Sequence, residues 1–158
     1  PLSLEKKIDL AEYIFKGKVI SIDTVVKGEP VPGPDGDYSK PAYFRPVGMI
    51  VARIKVVRSI KGALSDKFVN VYSSWECCMC GFSFLPNMDY LVFTNFDSIR
   101  VTKEPRRQWD RYIFDEDLQR SQMALQTDIC SGTDEFIPEN LKEIRKYIAK
   151  SKSEIKTY

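Results

Sequence analysis

One stretch constrains this chain more than any other: VGMIVARIKVVRSIKG, from Val47 to Gly62. Ile50, Ala52, Ile54 and Val56 alternate with Met49, Val51, Arg53, Lys55 and Val57. A repeat of two is the period of a β-strand with one face turned to a core. The pattern predicts that Ile50, Ala52, Ile54 and Val56 point inward, and that Lys61-Gly62 turns the chain. Such a strand needs partners, and the rest of the sequence supplies them without intervening helices.

Tyr13 to Val26 is rich in strand formers and predicts one long, bent strand, with Gly17 as a bulge or a close backbone approach. Lys67 to Ser74 predicts a third strand, with Phe68, Asn70 and Tyr72 on one face. Met88 to Phe96 predicts a fourth, and Met123 to Gly132 a fifth. Ser3 caps a short helix carrying Leu4, Ile8 and Ala11, which ends near Tyr13. Pro138 to Lys150 predicts a second helix, with Leu141, Ile144, Tyr147 and Ile148 as its buried stripe. Lys27 to Pro46 is dense in Pro and Gly and reads as a loop. The expected organisation is a single domain over 1–158, with insertions at 28–46 and 97–122 and a frayed tail at 151–158. Five strands with a helix at each end, and no βαβ alternation, predict a mainly β fold. The expected architecture is a five-stranded Greek-key barrel like the oligonucleotide/oligosaccharide-binding (OB) fold.

The totals narrow the function classes. A chain of 158 residues can bury a sizeable core without staples. No apolar run approaches the ~18 residues of a membrane span. The formal charge is +2, with Lys and Arg scattered among Asp and Glu, so no basic stripe of the kind nucleic-acid binders carry stands out. There is no histidine, which removes the commonest general base and transition-metal ligand. The chain opens on Pro1, so an upstream segment is expected, and a signal peptide is one form it could take.

The four cysteines admit several readings. Cys77, Cys78 and Cys80 cluster, and Cys130 stands apart. A zinc ribbon uses two Cys-x-x-Cys knuckles, and only Cys77 to Cys80 has that spacing. A redox centre needs a helix after the motif, and Gly-Phe-Ser-Phe-Leu-Pro does not read as one. Buried reduced thiols and disulfide staples complete the alternatives.

Several pieces, in order, resemble the netrin-like module of the tissue inhibitors of metalloproteinases, in its bacterial TIMP-like form. AEYIFKGKVISI (Ala11 to Ile22) is similar to the family's first strand, and ARIKVVRSIKG (Ala52 to Gly62) to its second. CGFSFLPNMDYLVF (Cys80 to Phe93) resembles its Cys-Gly, aromatic, Tyr-Leu-Val signature. TDICSGT (Thr127 to Thr133) resembles the Cys strand near the barrel's end, and LKEIRKYI (Leu141 to Ile148) the closing helix. The resemblance leaves the two insertions unmatched.

In that family the Cys of Cys-Gly and the later strand Cys each bond an N-terminal Cys-x-Cys. By resemblance Cys80 and Cys130 are therefore anchors for an upstream Cys-x-Cys that this sequence lacks, and they are expected near one another. They could bond each other if their Cα atoms lie within about 7 Å, a link worth roughly 2–4 kcal/mol. Cys77 and Cys78 have no counterpart and stay unassigned. The inhibitors present their N-terminal Cys to a protease's zinc, so this chain as written is not expected to inhibit such an enzyme. The resemblance implies a secreted, periplasmic or cell-surface protein that acts by protein interaction. It implies no cofactor, no resident metal and no nucleic-acid partner. Attachment to a membrane would run through an upstream lipid anchor.

Two other functions compete. Tyr43 and Phe44 (with Tyr38), and Arg106, Arg107, Trp109, Arg111 and Tyr112, pair aromatic rings with guanidinium groups that could stack on bases or sugars. The plainer reading is that they anchor long loops. A Cys-cluster metal protein is the other alternative. Catalysis is not expected: the run Asp115, Glu116, Asp117 is an ordinary solvated surface or helix start, and no nucleophile motif is present.

Overall fold

Ser3 opens helix α1 (Leu4–Leu10): its backbone is extended and its Oγ accepts from the Lys6 amide at 3.3 Å. This satisfies one of the amides a helix start leaves bare. At the other end the Lys61 ammonium donates to the Ile8 and Asp9 carbonyls at 2.6 and 3.1 Å, occupying acceptors of the last turn. The computed structural model describes residues 2–38, 41–74, 81–99, 101–102, 122–128 and 133–155.

Strands β1 (Tyr13–Pro32) and β2 (Pro41–Lys61) form one long antiparallel ribbon. Their register runs from Ile14 opposite Lys61 to Pro32 opposite Pro41. The expected loop over 28–46 is therefore corrected: most of it is paired strand. Proline survives there because in a two-stranded ribbon alternate amides point away from the partner and are not needed. Gly36, at φ +75°, donates back to the Gly33 carbonyl and makes the turn. Gly17 combines both expected roles. The register shifts beside it, and any Cβ at that position would strike the Ile54 side chain.

The remaining strands are β3 (Phe68–Ser74), β4 (Asp89–Ile99), the two-residue β5 (Val101–Thr102), β6 (Gln122–Gln126) and the two-residue β7 (Asp134–Glu135). Antiparallel pairs join β1 to β2, β2 to β3, β6 to β4 and β4 back to β1. One parallel pair, Val71 with Leu125 and Tyr72 with Gln126, joins β3 to β6. Five strands thus close a mixed ring in the order β1-β2-β3-β6-β4, with β5 and β7 added to β1 and β4. The mainly β expectation holds. The fifth strand is shorter than expected, leaving the sheet after Gln126.

Alternating residues of the same strands feed two cores. Phe15, Val19, Ala52, Ile54, Val71, Tyr90, Val92 and Leu125 fill the ring. Ile14, Leu91 and Phe93 point the other way, onto Ile8 and Ala11 of the N-terminal segment and Ile144 of the C-terminal helix. That helix, α2 (Pro138–Ile155), continues past the point where fraying was expected, through residue 155. Its Tyr147 hydroxyl donates to the Asp9 carboxylate at 3.0 Å. The hydrogen bond to Asp9 holds the phenol's pKa above its ordinary value of 10.0.

Phe82, Phe84 and Tyr90 meet edge to face at centroid distances of 4.8 to 5.6 Å and close one end of the ring. The Thr127 and Thr133 hydroxyls lie 2.6 Å apart and at 2.7 and 3.0 Å from the Phe93 carbonyl; with one proton each, one donates to that carbonyl while the other donates either to it or to its neighbouring hydroxyl.

Candidate binding face

With the ring interior filled by side chains, the chemistry of this molecule lies on its outside. The register of β1, β2 and β3 arranges their outward side chains in rows across the three strands. Lys18, Lys55 and Phe68 form one row, and Ser21, Arg53 and Asn70 the next. Asp23, Val51 and Tyr72 follow, then Val25, Met49 and Ser74. Successive rows stand roughly 7 Å apart, two residues of extended chain.

Burial rises along β2 across these rows. Lys18, Lys55, Arg53 and Asn70 are exposed, and Phe68 is 40% exposed. One row on, Val51 is 9% exposed, and Met49 and Val47 are 4% and 3%. The exposed end is cationic. Lys18 and Lys55 sit directly opposite each other, and Lys67 adjoins Phe68. None of Lys18, Arg53, Lys55 and Lys67 has a carboxylate at ion-pair distance among the described residues. Asp89 is held instead by Lys16, at 3.2 Å. The Arg53 guanidinium lies over the Phe68 ring at 5.2 Å, with the Lys67 ammonium at 6.0 Å. Like charges placed opposite each other on a sheet destabilise it, so this arrangement works against the fold.

A cleft of about 580 Å³ runs over the Ser21–Arg53–Asn70 and Asp23–Val51–Tyr72 rows and reaches Phe68 of the row beside them. Tyr72 also borders a second cleft, of about 300 Å³, where the walls turn acidic: Glu29, Asp97 and Asp128 face Lys27 there. Glu29 is paired with Arg45. The two clefts meet at Tyr72, so the face is bipolar, with cations at one end and carboxylates at the other.

The bases of the cysteine segments lie beside this second cleft. β3 ends at Ser74, and the chain rejoins the fold where the Phe82 amide donates to Ser73 Oγ at 2.6 Å. β6 ends next to it, and Thr127 and Thr133 tie the second segment's ends together. The cysteines themselves, Cys77, Cys78, Cys80 and Cys130, lie outside the described residues. So do Arg106, Arg107, Trp109, Arg111 and Tyr112, and the acidic run Asp115 to Asp117. Tyr43 and Phe44 belong to β2, opposite Val31 and Pro30, not to a loop; only their backbones are described. Among the described residues no group of three or more Asp, Glu, Cys or His could hold a metal ion, and no helix is long and apolar enough to cross a membrane.

Lys18, Arg53, Lys55 and Lys67 escaped the sequence reading because they are scattered along the chain. Strand alternation already put Arg53 with Lys55, and Phe68 with Tyr72. The missing information was the register that lays the strands side by side. Comparison of the chain with models of known protein families gives no match, and neither does comparison with curated proteins.

Proposed function

We propose that this chain is a non-enzymatic binding domain that engages a protein through the outer face of β1, β2 and β3. The observation that carries the reading is the contrast between a ring filled with apolar side chains and an exposed, bipolar cleft on the outside of the same strands. A filled ring offers no chamber for chemistry, and a chain without histidine lacks the usual acid–base group. An exposed face with aromatic and Arg anchors suits recognition.

The finer fold reading is a Greek-key barrel of the OB type, in its netrin/TIMP-like variant. The ring order with its single parallel closure and the flanking helices support it. Export and disulfide anchoring at Cys80 and Cys130 belong to the same proposal, supported by the adjacent bases of the two cysteine segments. Nothing in it calls for protease inhibition.

Two measurements test the proposal. Selection from a display library of random peptides should enrich sequences whose binding is lost in Asn70→Arg and Tyr72→Ala variants. Failure to enrich any, or enrichment indifferent to those variants, would remove the face as the site. Non-reducing peptide mapping of the chain extended to its natural start should link Cys80 and Cys130 to upstream cysteines. Four free thiols there would remove the exported reading.

A further inference from the structure

The cationic end of the face carries an inference about partner chemistry, which rests on the binding-domain reading above. We propose that the Lys18–Lys55–Phe68 and Ser21–Arg53–Asn70 rows seat an acidic stretch of an extended polypeptide.

Charge complementarity is the first argument. Four cations occupy neighbouring positions here, Lys18 on β1, Arg53 and Lys55 on β2 and Lys67 just ahead of β3, with Arg53 and Lys67 over the Phe68 ring, and none has an ion-pair partner among the described residues. Asp23 borders the same cleft, yet Arg53 makes no ion pair with it. Most surface cations either pair or project singly into water. Here Lys18 and Lys55 are placed opposite each other, an unfavourable pairing that a bound carboxylate would relieve.

The geometry fits an extended chain. Alternate side chains of an extended peptide recur about every 7 Å, the same interval as the rows. An acidic residue can therefore address Lys18 and Lys55 while the next on that face addresses Arg53. Phe68, covered on one side by Arg53, offers the apolar side chains between them a surface.

The same face argues against a nucleic acid. A nucleic-acid strand carries one negative charge at every phosphate, and along this cleft it would meet Asp23, then Asp97 and Asp128 beyond Tyr72. A polypeptide can change sign along its length to match.

Fluorescence anisotropy with defined probes tests this. The probes are a fluorescein-labelled peptide of about eight alternating Glu and Val residues, the same peptide with Gln for Glu, and an oligothymidylate of equal charge. The Glu peptide should bind, weaken steeply as salt rises, and outcompete both others. Arg53→Glu/Lys55→Glu should weaken it about tenfold or more. Lys142→Glu/Lys146→Glu on α2, with the same change in net charge, should leave binding within about twofold. If the reversal variant does not fold, Arg53→Gln/Lys55→Gln should still lower affinity and flatten the salt dependence. Equal binding of the Gln peptide, tighter binding of the oligothymidylate, or equal loss in the α2 variant would each overturn the inference. Should display selection enrich only neutral or basic peptides at this face, this inference fails while the binding-domain reading stands. Should it enrich none, both fail.

Discussion

On its inner face β2 buries Ala52 and Ile54 completely, with Val56 packed against the same core. On the outer face, within a few residues, the same strand passes from buried Val47 and Met49 to exposed Arg53 and Lys55. The inner face is apolar where Ala52, Ile54 and Val56 meet the filled ring. The outer face is graded because its cover changes along the strand. Stability should therefore concentrate on one side of β2 and recognition on the other.

The sharpest way to break that contrast is Ile54→Ala. A fully buried side chain loses its transfer energy and leaves a cavity, so unfolding free energy should fall by about 2–5 kcal/mol. Denaturant titration reads this directly, and a loss below about 1 kcal/mol would mean the core can collapse around the gap. Gly17→Ala approaches the same core from the opposite strand. The added methyl meets Ile54 and should cost about 1–3 kcal/mol. A neutral result would show that the ribbon can slide apart there.

Ser3→Ala lies outside both faces and removes only a cap, so about 1 kcal/mol is expected in the same titration. On the outer face the sign should reverse. Lys18→Gln removes a like-charge pair and should stabilise by up to about 0.5 kcal/mol, while weakening acidic peptides. A loss of stability in that variant would mean the Lys18 stem packs where the row geometry leaves it free.

The smallest effect is one of pH. Tyr147's pKa is raised by its bond to Asp9, so the folded chain holds that proton more tightly than the unfolded chain does. The contact's contribution is present below the ordinary phenol value of 10.0 and is lost as pH rises through the folded value. Ultraviolet titration should show one phenol ionising late, and Tyr147→Phe should abolish that phase.

What was legible in the sequence followed the inner face. Alternation in β2, the Ser3 cap, the Gly17 approach and the Ile144 stripe are local patterns, each set by neighbours a few residues away. The ribbon over 28–46 was misread because Pro and Gly count against strands in general, whereas a two-stranded ribbon tolerates them on its unpaired amides. The basic end of the binding face was invisible for a different reason. Lys18, Arg53, Lys55 and Lys67 come together only through pairings between distant segments, and no linear window contains them. The face named from the sequence, Phe68 with Asn70 and Tyr72, was right but lacked its neighbours.

β1 has three partners: it pairs along its length with β2, over its first residues with β4, and at Val26 and Lys27 with β5. The β1–β2 pairing is local and can form early, since the two arms are joined by a short turn. Closing the ring demands that Tyr13 find Thr94 and that β3 find β6 through only two residue pairs. Those distant encounters bear the loop-closure entropy. Folding should then divide in time: a quickly formed ribbon, then a slow search ending when the parallel β3–β6 seam engages.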